Sequence, residues 1–104
     1  MTTHNHINNL LLLEASKINN KDLLNESIKN KGVITYTDQY QRNALHYAAI
    51  NNSIDIIKVL IKNKQLDKKD SFNKRPIDYA EENKNKAVIK LLSRTFRTQT
   101  IKRK

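Results

Sequence analysis

Three histidines, one pair of adjacent carboxylates and a basic C-terminal run are the groups in this 104-residue chain that could do chemistry. His4 and His6 flank Asn5, an imidazole pair of the sort a divalent metal takes. No nearby carboxylate or cysteine cluster completes a ligand set, so no metal site is expected. His46 could act as a general base. No Ser/His/Asp or Cys/His arrangement surrounds it in the sequence, and neither a Gly-rich phosphate loop nor a metal spacing is present. Glu81 and Glu82 are neighbours, and consecutive helical side chains diverge by about 100°, so they do not form a cooperating acid and base. No enzymatic activity and no cofactor are expected. Two kinds of binding residue remain: Tyr40, Arg42 and Phe72, of the aromatic and Arg types that anchor protein interfaces, and the cations Arg94, Arg97, Lys102, Arg103 and Lys104, which attract phosphate.

Composition narrows the scaffold that could position these residues. A chain of this length is one domain with a small core. The absence of cysteine excludes disulfides and thiolate metal sites and fits a reducing compartment. One Gly and one Pro are too few for a loop-rich or all-β fold, so helices are expected. No apolar run approaches the roughly 20 residues that span a bilayer, and the N-terminus lacks a basic n-region, so a cytoplasmic chain is expected. The formal charge is +10, but it is uneven: the segment 83–104 carries eight cations and no acid, while the segment 1–82 holds 12 cations against 10 acids. High Asn, Lys and Ile content is compatible with an AT-rich genome, such as that of an intracellular bacterium.

Periodicity supplies the elements. Residues 10–16, 21–30, 44–51, 54–63, 76–82 and 85–95 read as helices. Asn43 is placed to cap the third, Ser53 the fourth, and Pro76 sits at the first position of the fifth. Asn63 fits the position just past a helix end where Gly is usual. Residues 33–37 are rich in β-formers, with a turn beginning at Asp38. Residues 1–8 are polar and expected to be frayed. The segments also repeat. Asn43-Ala44-Leu45-His46-Tyr47-Ala48-Ala49 is matched downstream by Arg75-Pro76-Ile77-Asp78-Tyr79-Ala80, with Ile77 following Leu45 at a spacing of 32 (77 − 45). Upstream, Leu12, Ala15 and Ser16 precede Leu45, Ala48 and Ala49 at a spacing of 33 (45 − 12). Val88, Ile89, Leu91 and Leu92 align with Ile56, Ile57, Val59 and Leu60 at a spacing of 32 (88 − 56).

The central segment resembles the start of an ankyrin repeat, whose motif is Thr-Pro-Leu-His-x-Ala at a period of about 33. Leu45, His46 and Ala48 match it, Ala49 fits the following small position, and Asn43-Ala44 replaces Thr-Pro. The resemblance implies an all-α solenoid of about three helix-turn-helix repeats (9–37, 38–69 and 70–95), joined by short hairpin-like connectors. A flexible segment, 1–8, would precede the repeats, and a basic tail, 96–104, would follow. Structural roles are implied for Leu12, Ala15, Leu45, His46, Ala48, Ala49, Leu60, Pro76, Ile77 and Ala80. Gln41 and Asn73 take a turn position where Gly is usual. The resemblance further implies a monomeric, non-catalytic protein-binding module, with a partner docking on hairpin tips and the exposed side of each first helix. Matching positions are Tyr40, Arg42, Ile50, Asn51, Ser71, Phe72, Lys74, Glu82 and Asn83. Such a chain acts by occupying another protein, as an adaptor, inhibitor or antagonist. The alternatives are contact with nucleic acid or an anionic membrane through the C-terminal cations, and a role as a bacterial effector or effector regulator delivered into a host cell.

Overall fold

The computed structural model describes the backbone of residues 2–101 and the side chains of residues 6–96. Among the described residues there are six helices and no strand: α1 (Thr2–Lys17), α2 (Lys21–Lys29), α3 (Ala44–Ile50), α4 (Ile54–Lys62), α5 (Pro76–Glu82) and α6 (Lys86–Ile101). Consecutive helices pair as α1 with α2, α3 with α4 and α5 with α6. The first members of these pairs pack on one another in one layer, and α2, α4 and α6 form a second. The stack measures 43 × 25 × 24 Å. This is the all-α repeat architecture that the sequence implies.

The core runs through equivalent positions of each layer. Leu12 and Leu45 are fully buried, as are Ala15, Ala48 and Ala80. Small side chains there let first-layer helices approach closely, and a larger group would overpack the contact. Ile77 packs against the same core but is half-buried, α5 being the last first-layer helix among the described residues. In the second layer Leu24, Ile56, Ile57, Leu60, Val88 and Leu92 close the interior.

Helix ends repeat as faithfully as the core. Asn20, Ser53 and Asn85 donate their N–H groups to the carbonyls of Ala15, Ala48 and Ala80, and Gly32 and Gln65 do the same to Ser27 and Leu60. These six-to-one bonds are the Schellman arrangement, which requires a left-handed residue just before each donor. Asn19, Asn52 and Lys84 have φ of 58°, 58° and 56°, and Lys31 and Lys64 have 74° and 69°. The residue past α4 is therefore Lys64. Asn63, expected there, is the C-cap at φ −95°, because the helix closes one residue later than that placement requires. The single glycine is not one of the left-handed residues. A Cβ on Gly32 would lie 2.9 Å from the backbone oxygens of Asn8 and Ser27, so α1 and the end of α2 leave no room for a side chain.

Three expectations are corrected. Ser53 makes no capping bond, and its hydroxyl is buried without a partner. Asn20 and Asn85, at the equivalent places, do cap, accepting from the N–H of Leu23 and Val88 at 3.0 and 3.2 Å. Each of these residues closes one helix while opening the next. Residues 33–37 form no strand; the Tyr36 N–H turns back to the Val33 carbonyl at 3.0 Å. The connectors beyond them are tight turns rather than β-hairpins. α1 begins at Thr2; Asn8 is buried and donates to the Asn30 carbonyl at 3.0 Å, while the Asn9 side chain accepts from the Val33 N–H at 2.6 Å. Polar atoms are buried there because the backbone leaving α2 needs partners. At the other end the α6 backbone continues to Ile101. The side chains of His4, Arg97, Lys102, Arg103 and Lys104 lie outside the described residues.

Candidate functional site

Asp38 and Asp70 build the two turns that carry the expected contact residues. In each, one carboxylate oxygen accepts two backbone N–H groups: Tyr40 and Arg42 bind Asp38 at 2.9 and 3.1 Å, and Phe72 and Lys74 bind Asp70 at 2.9 and 3.0 Å. Gln41 and Asn73 take the left-handed position, with φ of 59° and 63°. The two loops are tied together, since the Ser71 N–H donates to the Tyr40 carbonyl at 2.8 Å. Tyr40 and Phe72 consequently stand side by side, ring centroids 6.2 Å apart, and both are exposed, at 43% and 57%.

The second carboxylate oxygen of each aspartate reaches a phenol on the following helix: Tyr47 donates to Asp38, and Tyr79 to Asp70. Arg42 lies between these units. Its Nε is 3.3 Å from Asp70, its Nη2 donates to the Tyr79 hydroxyl at 3.0 Å, and its guanidinium carbon sits 5.2–5.7 Å from the ring centroids of Tyr40, Tyr47, Phe72 and Tyr79. Planar cations over aromatic faces are attracted by the ring quadrupole. Burial disfavours the Arg42 charge, but its bonds to Tyr79, Tyr47 and Asp70 outweigh that and raise its pKa further. Burial likewise opposes ionisation of Asp70, yet the bonds from Tyr79, the Lys74 and Phe72 N–H groups and Arg42 hold its carboxyl below the usual range. Burial and the bond to Asp38 push the Tyr47 phenol up to about 12.

The remaining expected contact residues are placed unequally. Ser71, Asn51, Glu82 and Asn83 are exposed, and Ile50 and Lys74 are half-buried. Lys74 pairs with Glu82. The amides of Asn51 and Asn83 are engaged within the stack: Asn51 donates to the carbonyls of Lys17 and Ser16 at 2.6 and 3.4 Å, and Asn83 to that of Ile50 at 2.8 Å. Each asparagine thus satisfies a carbonyl left open at the end of the preceding first-layer helix. Sequence reasoning missed Tyr47, Tyr79 and Asp70. Their signal was present, since both tyrosines occupy the variable position of the repeated motif.

His46 is fully buried. Its Nδ1 accepts from the Asn43 N–H at 3.1 Å, while the Asn43 side-chain oxygen accepts from the His46 N–H at 3.0 Å. Its Nε2 lies 3.0 Å from the Lys74 carbonyl, which can only accept, so Nε2 carries the proton. Both nitrogens are occupied, and burial pushes the imidazole pKa down. The residue joins the central turn to the next connector and offers no free lone pair to a substrate. Asp78, in the equivalent place, accepts from the Arg75 N–H at 2.8 Å.

Among the described residues no group of three or more metal-ligating side chains converges, and no helix is long and apolar enough to cross a membrane. Arg94 is exposed on α6, whereas Arg42 lies in the connector before α3. A family model described as ankyrin repeats, in three copies, matches residues 11–102. No curated protein matches the chain.

Proposed function

The chain belongs to the ankyrin-repeat family, and we propose that it is a non-catalytic module that binds another protein through the Tyr40–Arg42–Phe72 edge. Ankyrin repeats are generally protein-protein interaction modules. The observation that carries the reading is the exposed aromatic pair, 6.2 Å apart, backed by an Arg42 held by Asp70 and Tyr79. Interfaces derive most of their energy from a few such anchors. Anchors already fixed in place lose less rotamer freedom on binding. Asn51 and Asn83, whose amide N–H groups are engaged in the stack, face a partner chiefly as acceptors through their side-chain oxygens. Acting by occupancy, the protein serves as an adaptor, inhibitor or antagonist inside a reducing cytoplasm.

The test is the affinity of a partner captured with the intact chain, measured again with Tyr40→Ala/Phe72→Ala. A loss of at least tenfold with an unchanged melting curve supports this edge as the site. An unchanged affinity dismisses it.

A further inference from the structure

The layer formed by α2, α4 and α6 carries a second feature, independent of the aromatic edge. Lys58 and Lys62 on α4 and Lys90 and Arg94 on α6 are all exposed. Each pair is spaced i, i+4, so both members share a helix face, about 6 Å apart along the axis. The two pairs occupy equivalent repeat positions, at a spacing of 32 (90 − 58 and 94 − 62). Helices α4 and α6 are neighbours, and packed helices lie about 8–10 Å apart. The result is a cluster of four exposed cations on two adjoining helices, extended by Lys29 on the adjoining α2, which precedes Lys62 at a spacing of 33 (62 − 29). None of the five is ion-paired among the described residues; the ion pairs there involve Arg42, Lys74 and Arg75. α6 contains no acid, and Asp55, in the first turn of α4, stands one turn from Lys58 and at the opposite end of that helix from Lys62. Glu26 is likewise one turn from Lys29 on α2, so Lys62, Lys90 and Arg94 carry most of the field of this face, with Lys58 partly offset by Asp55. Asp38, Asp70 and Asp78 are committed to turns and caps elsewhere.

Stabilisation of helix ends explains only part of this pattern. Lys62 lies in the last turn of α4, where a cation complements the helix dipole. Lys58 and Lys90 lie further in, and the α6 backbone continues well past Arg94, to Ile101.

We infer that this face binds the phosphate backbone of double-stranded nucleic acid without reading its sequence. Clustered cations displace counterions from a duplex whatever its bases. Among the described residues the exposed large apolar side chains are Ile7, Leu10, Ile18, Val33, Tyr40, Leu66 and Phe72. None of these lies on α2, α4 or α6. Among the described residues, then, this face has no exposed ring on which an unpaired base could stack and no exposed large apolar group to enter a lipid surface.

The experiment is fluorescence anisotropy with a labelled DNA duplex of about two helical turns, repeated with an RNA duplex and with phosphatidylserine vesicles. The intact chain is compared with Lys58→Gln/Lys62→Gln/Lys90→Gln/Arg94→Gln and with a chain lacking residues 98–104. The intact chain should bind duplex with a log–log salt slope of about −4, the value for four to five phosphates neutralised. The fourfold variant should weaken binding at least tenfold at low salt and flatten that slope by about 3 to 4, with an unchanged melting curve. Removing residues 98–104 should weaken binding less. Absence of duplex binding by the intact chain at low salt overturns the inference without needing any variant. So does tighter binding to vesicles than to duplex, or a loss that follows the deletion while the fourfold variant binds normally. The Tyr40→Ala/Phe72→Ala protein should bind duplex as the intact chain does, which separates this face from the aromatic edge.

Discussion

At His46 the two ring nitrogens face fixed backbone partners, an N–H from Asn43 and the carbonyl of Lys74. Only the neutral ring with its proton on Nε2 satisfies both. Its folded pKa is lowered from 6.5 by burial. Above that value both folded and unfolded chains hold a neutral ring, and stability does not depend on it. As pH falls through about 6.5 the unfolded chain takes up a proton that the folded chain resists, so stability declines until the folded pKa is also passed. Melting temperature should therefore fall between pH 7 and 5, and a His46→Gln protein, less stable throughout, should lack that decline. The carboxyls of Asp38 and Asp70 are held below 3.8, so their contribution is lost only as pH falls below about 4. Caps make a second residue-scale test. Asn20→Ala removes a working cap and should cost about 1 kcal/mol. Ser53→Ala removes a buried hydroxyl that has no partner and should cost nothing measurable in a denaturant melt. The left-handed residues give a third. Gln41 and Lys64 hold φ of 59° and 69°, which costs a side-chain-bearing residue about 1–2 kcal/mol. Gln41→Gly and Lys64→Gly should each raise stability by roughly 1 kcal/mol, or about 4–8 °C in melting temperature.

At the scale of elements, the four inner helices are short, nine residues for α2 and α4 and seven for α3 and α5. Isolated helices of that length are marginal in water, so packing holds them. Leu45 and Leu60 are fully buried between layers. Truncating either to Ala should cost about 2–5 kcal/mol by removing apolar contact and leaving a cavity, read as a lower denaturation midpoint at unchanged slope. These elements were legible in the sequence because their signals are local: Asn43 and Pro76 at helix starts, small residues at 15, 48 and 80, apolar periodicity in 54–63. The connectors were misread for a physical reason. Val33, Ile34 and Thr35 favour extended backbone, but a strand needs a neighbouring strand to satisfy its N–H and C=O groups. Here those groups turn to Asn9 and Gln65 instead.

At the scale of the molecule, no hairpin buries its apolar face alone. About three repeats are the minimum for a stable stack. Removing residues 70–104 should therefore abolish cooperative unfolding rather than lower the midpoint by a fixed step, since it uncovers α3 and α4 and takes away the Lys74 carbonyl that His46 requires. A broad, low-amplitude melt by circular dichroism is the expected result. The sequence by itself determined the fold class, the number of layers and the register of the core, because a nearly constant repeat spacing brings like side chains to like places. Only the tertiary structure decided which face residues stay available. Arg42 reaches Tyr79 across 37 positions, Asn51 reaches Lys17 across 34 and Asn83 reaches Ile50 across 33. Two of those three acceptors are backbone carbonyls, which every residue possesses, so no residue type in the sequence marks them out.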